Sequence, residues 1–346
     1  MSHASKNLKG FDNVGDNTLN TILQDNLVEF FDWALLEKGN FFNIEIPTSG
    51  HYGGDKHKLR LVDDPNYDSG QVWEGFRSNW VWQSGLACES KPKTLTKLKR
   101  DSTDYPLQIQ SPGVSGVFVD GVFRPASGVG PYKHHFDYPN GRVVFDTAIS
   151  TTSSVTAEFS HKWVKVTRAN DDFFREVQYR SDRADGDFTL TGSGDWSQLA
   201  DTRLQLPAIA VEVVKGRSLK PRALGGLKHY VNTDVLFHVL AEDDYERDKL
   251  LDIISLQEDR VLDMFNSDMI GKDNAFPLDY RGMVNGTPKM YPTLVAATGA
   301  DIEAENRGYS WESRTMMLNN ARVQASEAIS PNLYHGVVRM NTEVIM

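Results

Sequence analysis

Two dipeptides, Asp120-Gly121 and Asn140-Gly141, each interrupt a run of alternating apolar and polar residues. Alternation with a period of two is the signature of a strand with one buried face, and Asn-Gly or Asp-Gly between two such runs supplies the positive φ angles of a tight hairpin turn. The stretches "GVFVDGVFR" (116–124) and "HHFDYPNGRVVFD" (134–146) therefore predict two antiparallel hairpins. A third strand follows in "SVTAEFSHKWVKVT", with Val155, Ala157, Phe159 and His161 on one face. Its apolar positions change parity between Trp163 and Val164, which predicts a bulge or a strand leaving its sheet. Residues 106–168 thus read as a small antiparallel β unit.

The second hairpin carries His134, His135 and Asp137, residue types that hold zinc or iron. In a strand, however, neighbouring side chains point to opposite faces. His135 and Asp137 share one face, and His134 lies on the other with Phe136 and Tyr138. Three ligands cannot converge from such a strand, so a metal-dependent hydrolase built on them is disfavoured. His51, Asp55, His57 and Asp63 sit on a turn-rich loop whose spacing does not bring them together either. No metal ligands, cofactor-binding residues or catalytic residues are assigned. P-loop, dinucleotide-binding and H-E-x-x-H motifs and a nucleophile elbow are all absent. The chain reads as a non-enzyme without a cofactor.

Helical spacing occurs twice. Leu19, Ile22, Leu23, Leu27, Phe30, Phe31 and Leu35 form one apolar stripe over 18–36, capped by Asp16 or Asn17 and stopped by Gly39 and Asn40. From Tyr245 to Phe265 the apolar residues Leu250, Ile253, Ile254, Val261, Leu262 and Phe265 keep the same spacing. Glu242, Asp243, Asp244, Glu246 and Asp248 crowd the start of this second helix, where carboxylates cap the first turn and complement the helix dipole. Before it, "RLQLPAIAVEVV" reads as a strand buried on both faces, and "KHYVNTDVLFHVLAEDD" as an alternating one.

At 346 residues the chain can build more than one core, and its formal net charge of −10 argues against a generally nucleic-acid-binding surface. The basic run "KPKTLTKLKR" (91–100) reads as a solvated linker. Cys88 is the single cysteine, which excludes an intramolecular disulfide. No signal peptide and no bilayer-spanning run are evident, so a soluble protein made in a reducing cytoplasm is expected. Trp73, Phe76, Trp80 and Trp82 carry much apolar area within ten positions and are candidates for core or for subunit contacts. The C-terminal run "GVVRMNTEVIM" alternates like a strand. It either completes the chain's own sheet or adds to a neighbour's through Val338, Met340 and Val344.

The run from Leu204 to Phe265, together with the helix over 18–36, resembles the tail-terminator proteins of tailed bacteriophages. The shared pattern is a strand ("LPAIAVEV"), a glycine-bearing loop ("LGGLKH"), a second strand ("TDVLFHVLAEDD") and a long helix. "GQVWEGFRSNWVWQSG" and the hairpin region resemble virion proteins of myovirus-like phages. The resemblance implies an α+β fold: a terminator-like core whose mixed or antiparallel sheet is flanked by helices, with a small antiparallel β domain and a C-terminal arm added. The corresponding division is 1–105 (helix and aromatic-rich segment), 106–168 (β-hairpin domain), 169–270 (core) and 271–346 (arm). It further implies a virion subunit of the neck or tail that forms a ring, of six copies, with itself. Its partners would be tail tube, sheath and head-connector proteins, with packaged DNA passing close by. A β-rich glycan-binding fibre or baseplate module, using the tryptophan cluster, is the alternative.

Overall fold

The computed structural model describes residues 19–46, 56–83, 88–89, 97–98, 114–169, 205–221, 229–265, 278–284, 290–295, 315–330 and 333–345. The chain is a mixed α+β, strand-rich protein. Its elements begin with α1 (Leu19–Glu37), β1 (Phe41–Ile44), β2 (Arg60–Leu61), β3 (Val72–Glu74), β4 (Cys88–Glu89) and β5 (Lys97–Leu98). The hairpin region follows as β6 (Gly116–Val119), β7 (Val122–Pro125), β8 (His134–Asp137), β9 (Arg142–Phe145), β10 (Val155–Thr156) and β11 (Phe159–Lys162). Then come β12 (Lys165–Arg168), β13 (Ala208–Pro221), β14 (His229–Ala241), α2 (Asp244–Ser255), β15 (Val261–Asp263), β16 (Thr315–Ser330) and β17 (Leu333–Ile345).

The largest sheet has the order β12-β13-β14-β17-β16-β15, antiparallel except where β12 runs parallel to β13. Its register places Val211, Phe237 and Val338 in one row and Val235 beside Met340, all on the same face. That face is buried under α1 and α2, whose Leu23, Leu27, Phe31, Leu250 and Ile254 join the same core. Gly336 lets α2 approach, because a Cβ there would meet Leu251 at 2.7 Å. The apolar stripe on α1 is as expected, but two polar residues, Asp25 and Asn26, are buried beside it. Asn26 holds the backbone of Phe265 in both directions, accepting from its N–H and donating to its carbonyl, each at 2.8 Å.

Smaller sheets form a second core. β2-β3-β9-β8 is a four-stranded antiparallel sheet, β10-β6-β7 a three-stranded one, and β1 pairs with β11. Trp80, Val117, Phe145 and Phe159 fill this core. The β unit therefore draws strands from 41–74 as well as from 116–162, and the boundary expected at 105/106 runs through it. β12 leaves this unit for the large sheet, and that exit is the parity change read at Trp163 and Val164. The expected C-terminal arm is likewise part of the large sheet.

Both hairpins form, with different turns. Asp120 and Gly121 have φ of 50° and 77°, the two-residue turn expected. Between β8 and β9 the turn instead spans four residues, and of Asn140 and Gly141 only Gly141 has a positive φ. Asp137 organises it, accepting from the backbone and side-chain nitrogens of Asn140. A Cβ at Gly141 would also lie 2.5 Å from the Arg77 carbonyl oxygen.

The second helix is shorter than its periodicity suggested. It ends at Ser255, a turn with Asp259 in the left-handed region (φ 63°) reverses the chain, and Val261–Asp263 becomes the edge strand. Leu262 is buried in the main core as a strand residue paired with Met316, although its position also fits a helical period. At the start, Asp243 is the N-cap and accepts from the N–H of Glu246 at 2.7 Å.

Helix α1 also carries acids on its sheet-facing side. Lys162 reaches Asp32 at 2.6 Å, and Arg168 pairs with Asp25. Glu29 lies between them, and loss of hydration, then the like charge of Asp32, pushes its carboxyl up to about 7. A carboxyl with a raised folded pKa stabilises the fold below its unfolded value, 4.5, and loses that contribution as pH rises through about 7. Glu29→Gln should therefore raise stability by about 2–3 kcal/mol at pH 8 and change little near pH 4.5. Denaturant midpoints at the two pH values check it; equal shifts at both would refute the buried-acid account.

Candidate functional site

The seven aromatic and aliphatic residues expected as assembly contacts are all buried in the chain's own cores. Trp73, Phe76, Trp80 and Trp82 are at most 7 % exposed, and Val338, Met340 and Val344 are fully enclosed. Trp73 Nε1–H donates to the Gly70 carbonyl at 3.0 Å, and Trp80 Nε1–H to the Arg77 carbonyl at 2.8 Å. A surface contact or sugar platform needs rings that face outward, and these do not. The three C-terminal residues are enclosed because β17 lies between β14 and β16, with its even-numbered side chains turned toward the helices. Of the two readings of the C-terminal run, completion of the chain's own sheet is the one this structure has.

The histidines on β8 are separated as strand geometry requires. His134 is buried, its Nδ1–H donates to the Tyr132 carbonyl at 2.8 Å, and its ring packs against Phe136 and Phe145. Burial lowers its pKa, as it lowers that of His135, which sits 3.9 Å from Asp146. Asp137 serves the turn. In the loop expected to be ligand-poor, His57 is buried and Asp63 exposed, while His51 and Asp55 lie outside the described residues. No group of three metal-ligating side chains converges among the described residues.

The acidic start of α2 has a partner that sequence reading missed. Arg77 is 4 % exposed and donates through Nη1 to the Leu206 carbonyl at 3.1 Å. Its guanidinium carbon lies 5.0 Å from the Trp163 ring centre. Burial works against its charge, and Glu242 and Glu246 support it. Both glutamates have raised pKa values, chiefly because burial disfavours their charged forms. This seam joins the β unit to the large sheet. Its residues lie far apart in sequence, at 77, 163, 206, 242 and 246, so no local pattern pointed to it.

A second group of polar side chains stands on the other face of the large sheet, beside the buried Ala208, Leu240 and Leu333. Opposite the helices, β13, β14, β17 and β16 present polar side chains in register: Glu212, Asp234, His238, His335, Arg339 and Glu327. Arg339 pairs with Asp234, and Asn341 Nδ2 lies 3.4 Å from the same carboxylate. Small apolar residues, Ala208 and Ala210, are buried between them. Next to this face runs an open strand edge. β15 covers only Thr315–Met317 of β16, and from Arg322 to Ser330 no outer strand follows among the described residues. Val323 and Ile329 are exposed there, and three register shifts twist the edge.

Searches of protein-family models and of curated proteins find no match to this chain.

Proposed function

We propose that this chain is a structural assembly protein: a subunit of a ring in the neck or tail-terminator region of a tailed phage, joining tail tube or sheath to the head connector. The observation that carries the reading is a broad sheet with α1 and α2 on one face and a row of ionisable side chains on the other, and, among the described residues, no strand paired to β16 beyond Met317 on its outer edge. Among the described residues no strand pairs with β16 beyond Met317 on that side, and a neighbouring subunit can add one there. The register shifts along that edge exclude indiscriminate pairing and favour a partner with matching twist. The order α1, β13, β14, α2 accords with the pattern by which the sequence resembles tail terminators. Rings close through heterologous contacts, so one surface of each subunit fits a different surface of the next.

Native mass spectrometry and negative-stain imaging of the full-length protein test this reading. A closed ring is expected, of six copies by the resemblance, alone or when tail tube or connector protein is added. A chain that stays monomeric at every concentration and joins neither partner would overturn it.

A further inference from the structure

Four ionisable side chains stand in a line across the second face, each on a different strand: Glu212 on β13, His238 on β14, His335 on β17 and Glu327 on β16. His238 Nε2 is 3.0 Å from Glu212 Oε2, and His238 Nδ1 is 3.2 Å from His335 Nε2. His335 Nδ1 lies 3.8 Å from Glu327 Oε1. The two imidazoles are within 6° of parallel with centroids 5.5 Å apart. That is as far apart as two rings joined at 3.2 Å can be, so they lie edge to edge in one plane and the N···N axis crosses both. One proton fits between them. A metal ion does not, because metal–nitrogen bonds of about 2.0–2.1 Å cannot be placed in line within that gap.

The tautomers follow from the neighbours. Glu212 accepts, so His238 carries its proton on Nε2. Neutral His238 then has a bare Nδ1, which accepts from the Nε2–H of His335. Neutral His335 is left with a lone pair on Nδ1 facing a carboxylate, at a separation too long for a hydrogen bond. The next proton has one favourable place, His335 Nδ1, where it makes a charge-assisted bond to Glu327. A second would put two cations on touching rings and break the bond between them.

We propose that Glu212, His238, His335 and Glu327 form a single proton-binding relay, which takes up one proton per chain at His335 and so makes the link from β17 to the open strand β16 sensitive to pH. Among the described residues the other charged groups on this face are Asp234 and Arg339, engaged with each other, Arg322 on β16, and, toward the far end of the sheet, Lys220 on β13 and Glu343 on β17. Leu240 and Leu333 flank His335. Burial, then the neighbouring His238, holds the His335 pKa below the ordinary histidine value, and Glu327 opposes that. A histidine with a lowered folded pKa loses stability as pH falls below about 6.5, since the unfolded chain takes the proton first. Acid therefore loads the relay at a cost to the fold, and it draws Glu327, 67 % exposed, toward β17.

Ring-nitrogen NMR of the histidine-labelled full-length protein from pH 8 to 4.5 tests the relay. His238 and His335 should both be Nε2–H tautomers at pH 8. On acidification a single protonation step should appear at His335, sensed by both rings. Glu327→Gln, a change at an exposed side chain that leaves the fold intact, should move the His335 step to lower pH. Independent titrations, each unchanged when the partner is replaced, would overturn the proposal. So would Nδ1–H tautomers at pH 8, or stoichiometric Zn²⁺ shifting both rings, which would assign the pair to a metal instead.

Discussion

A chain truncated after His335, lacking residues 336–346, should not fold. β17 is a central strand: its backbone pairs with β14 from Tyr230 to Ala241 and with β16 on its other side. Val338, Met340, Thr342 and Val344 are all fully buried. Each apolar side chain of this size contributes about 1.5–3 kcal/mol on burial, and removing three of them already approaches the roughly 5–15 kcal/mol by which whole domains are stable. The truncation also strips β14 and β16 of their shared neighbour and leaves two inner edges unpaired. Circular dichroism should show lost strand signal and no cooperative melt. A truncated chain that melts cooperatively as a folded monomer would instead mean that this strand is exchanged between subunits.

Trp80→Ala should destabilise the protein by about 3–5 kcal/mol, the range for emptying a large aromatic site in a packed core. Trp80 is fully enclosed and stacks on Phe159 with centroids 4.3 Å apart. Its indole N–H satisfies the Arg77 carbonyl, and its backbone N–H donates to the Tyr138 carbonyl. Gly75 and Gly141 both approach its ring, so the cavity has rigid walls and collapses little. Trp80→Phe keeps most of the apolar area and strands the Arg77 acceptor, which should cost about 1–3 kcal/mol. Chemical denaturation followed at equilibrium separates the two. A loss under 1 kcal/mol for the alanine variant would return Trp80 to the surface-contact role that the sequence allowed.

The elements read most reliably from the sequence were those specified by neighbouring residues. The stripe on α1, the acidic capping of α2 and the Asp120-Gly121 turn each depend on contacts within a few positions, so their residue types carry the whole signal. The split of His134 from His135 and Asp137 was equally legible, because the pleat alone dictates it. The end of α2 was not. Val261 and Leu262 fit a helical period, and the reversal at Asp259 is stabilised by a distant strand, where the Asp259 N–H donates to the Leu318 carbonyl at 2.8 Å.

What the sequence by itself determined is therefore local: which segments are helix or strand, which side of each is apolar, and that the β8 histidines do not form one site. Only the tertiary structure decided which strands are neighbours. It buried the tryptophans and β17 inside the chain, set Arg77 against Glu242 and Glu246, and brought Glu212, His238, His335 and Glu327 together along a diagonal across four strands. Those residues come from segments separated by tens to more than a hundred positions. Alternation says that a side chain faces one side of a sheet, but it carries no information about which strand lies next to it. That choice is made by the fit of whole faces, Gly336 beneath Leu251 among them, when the core closes.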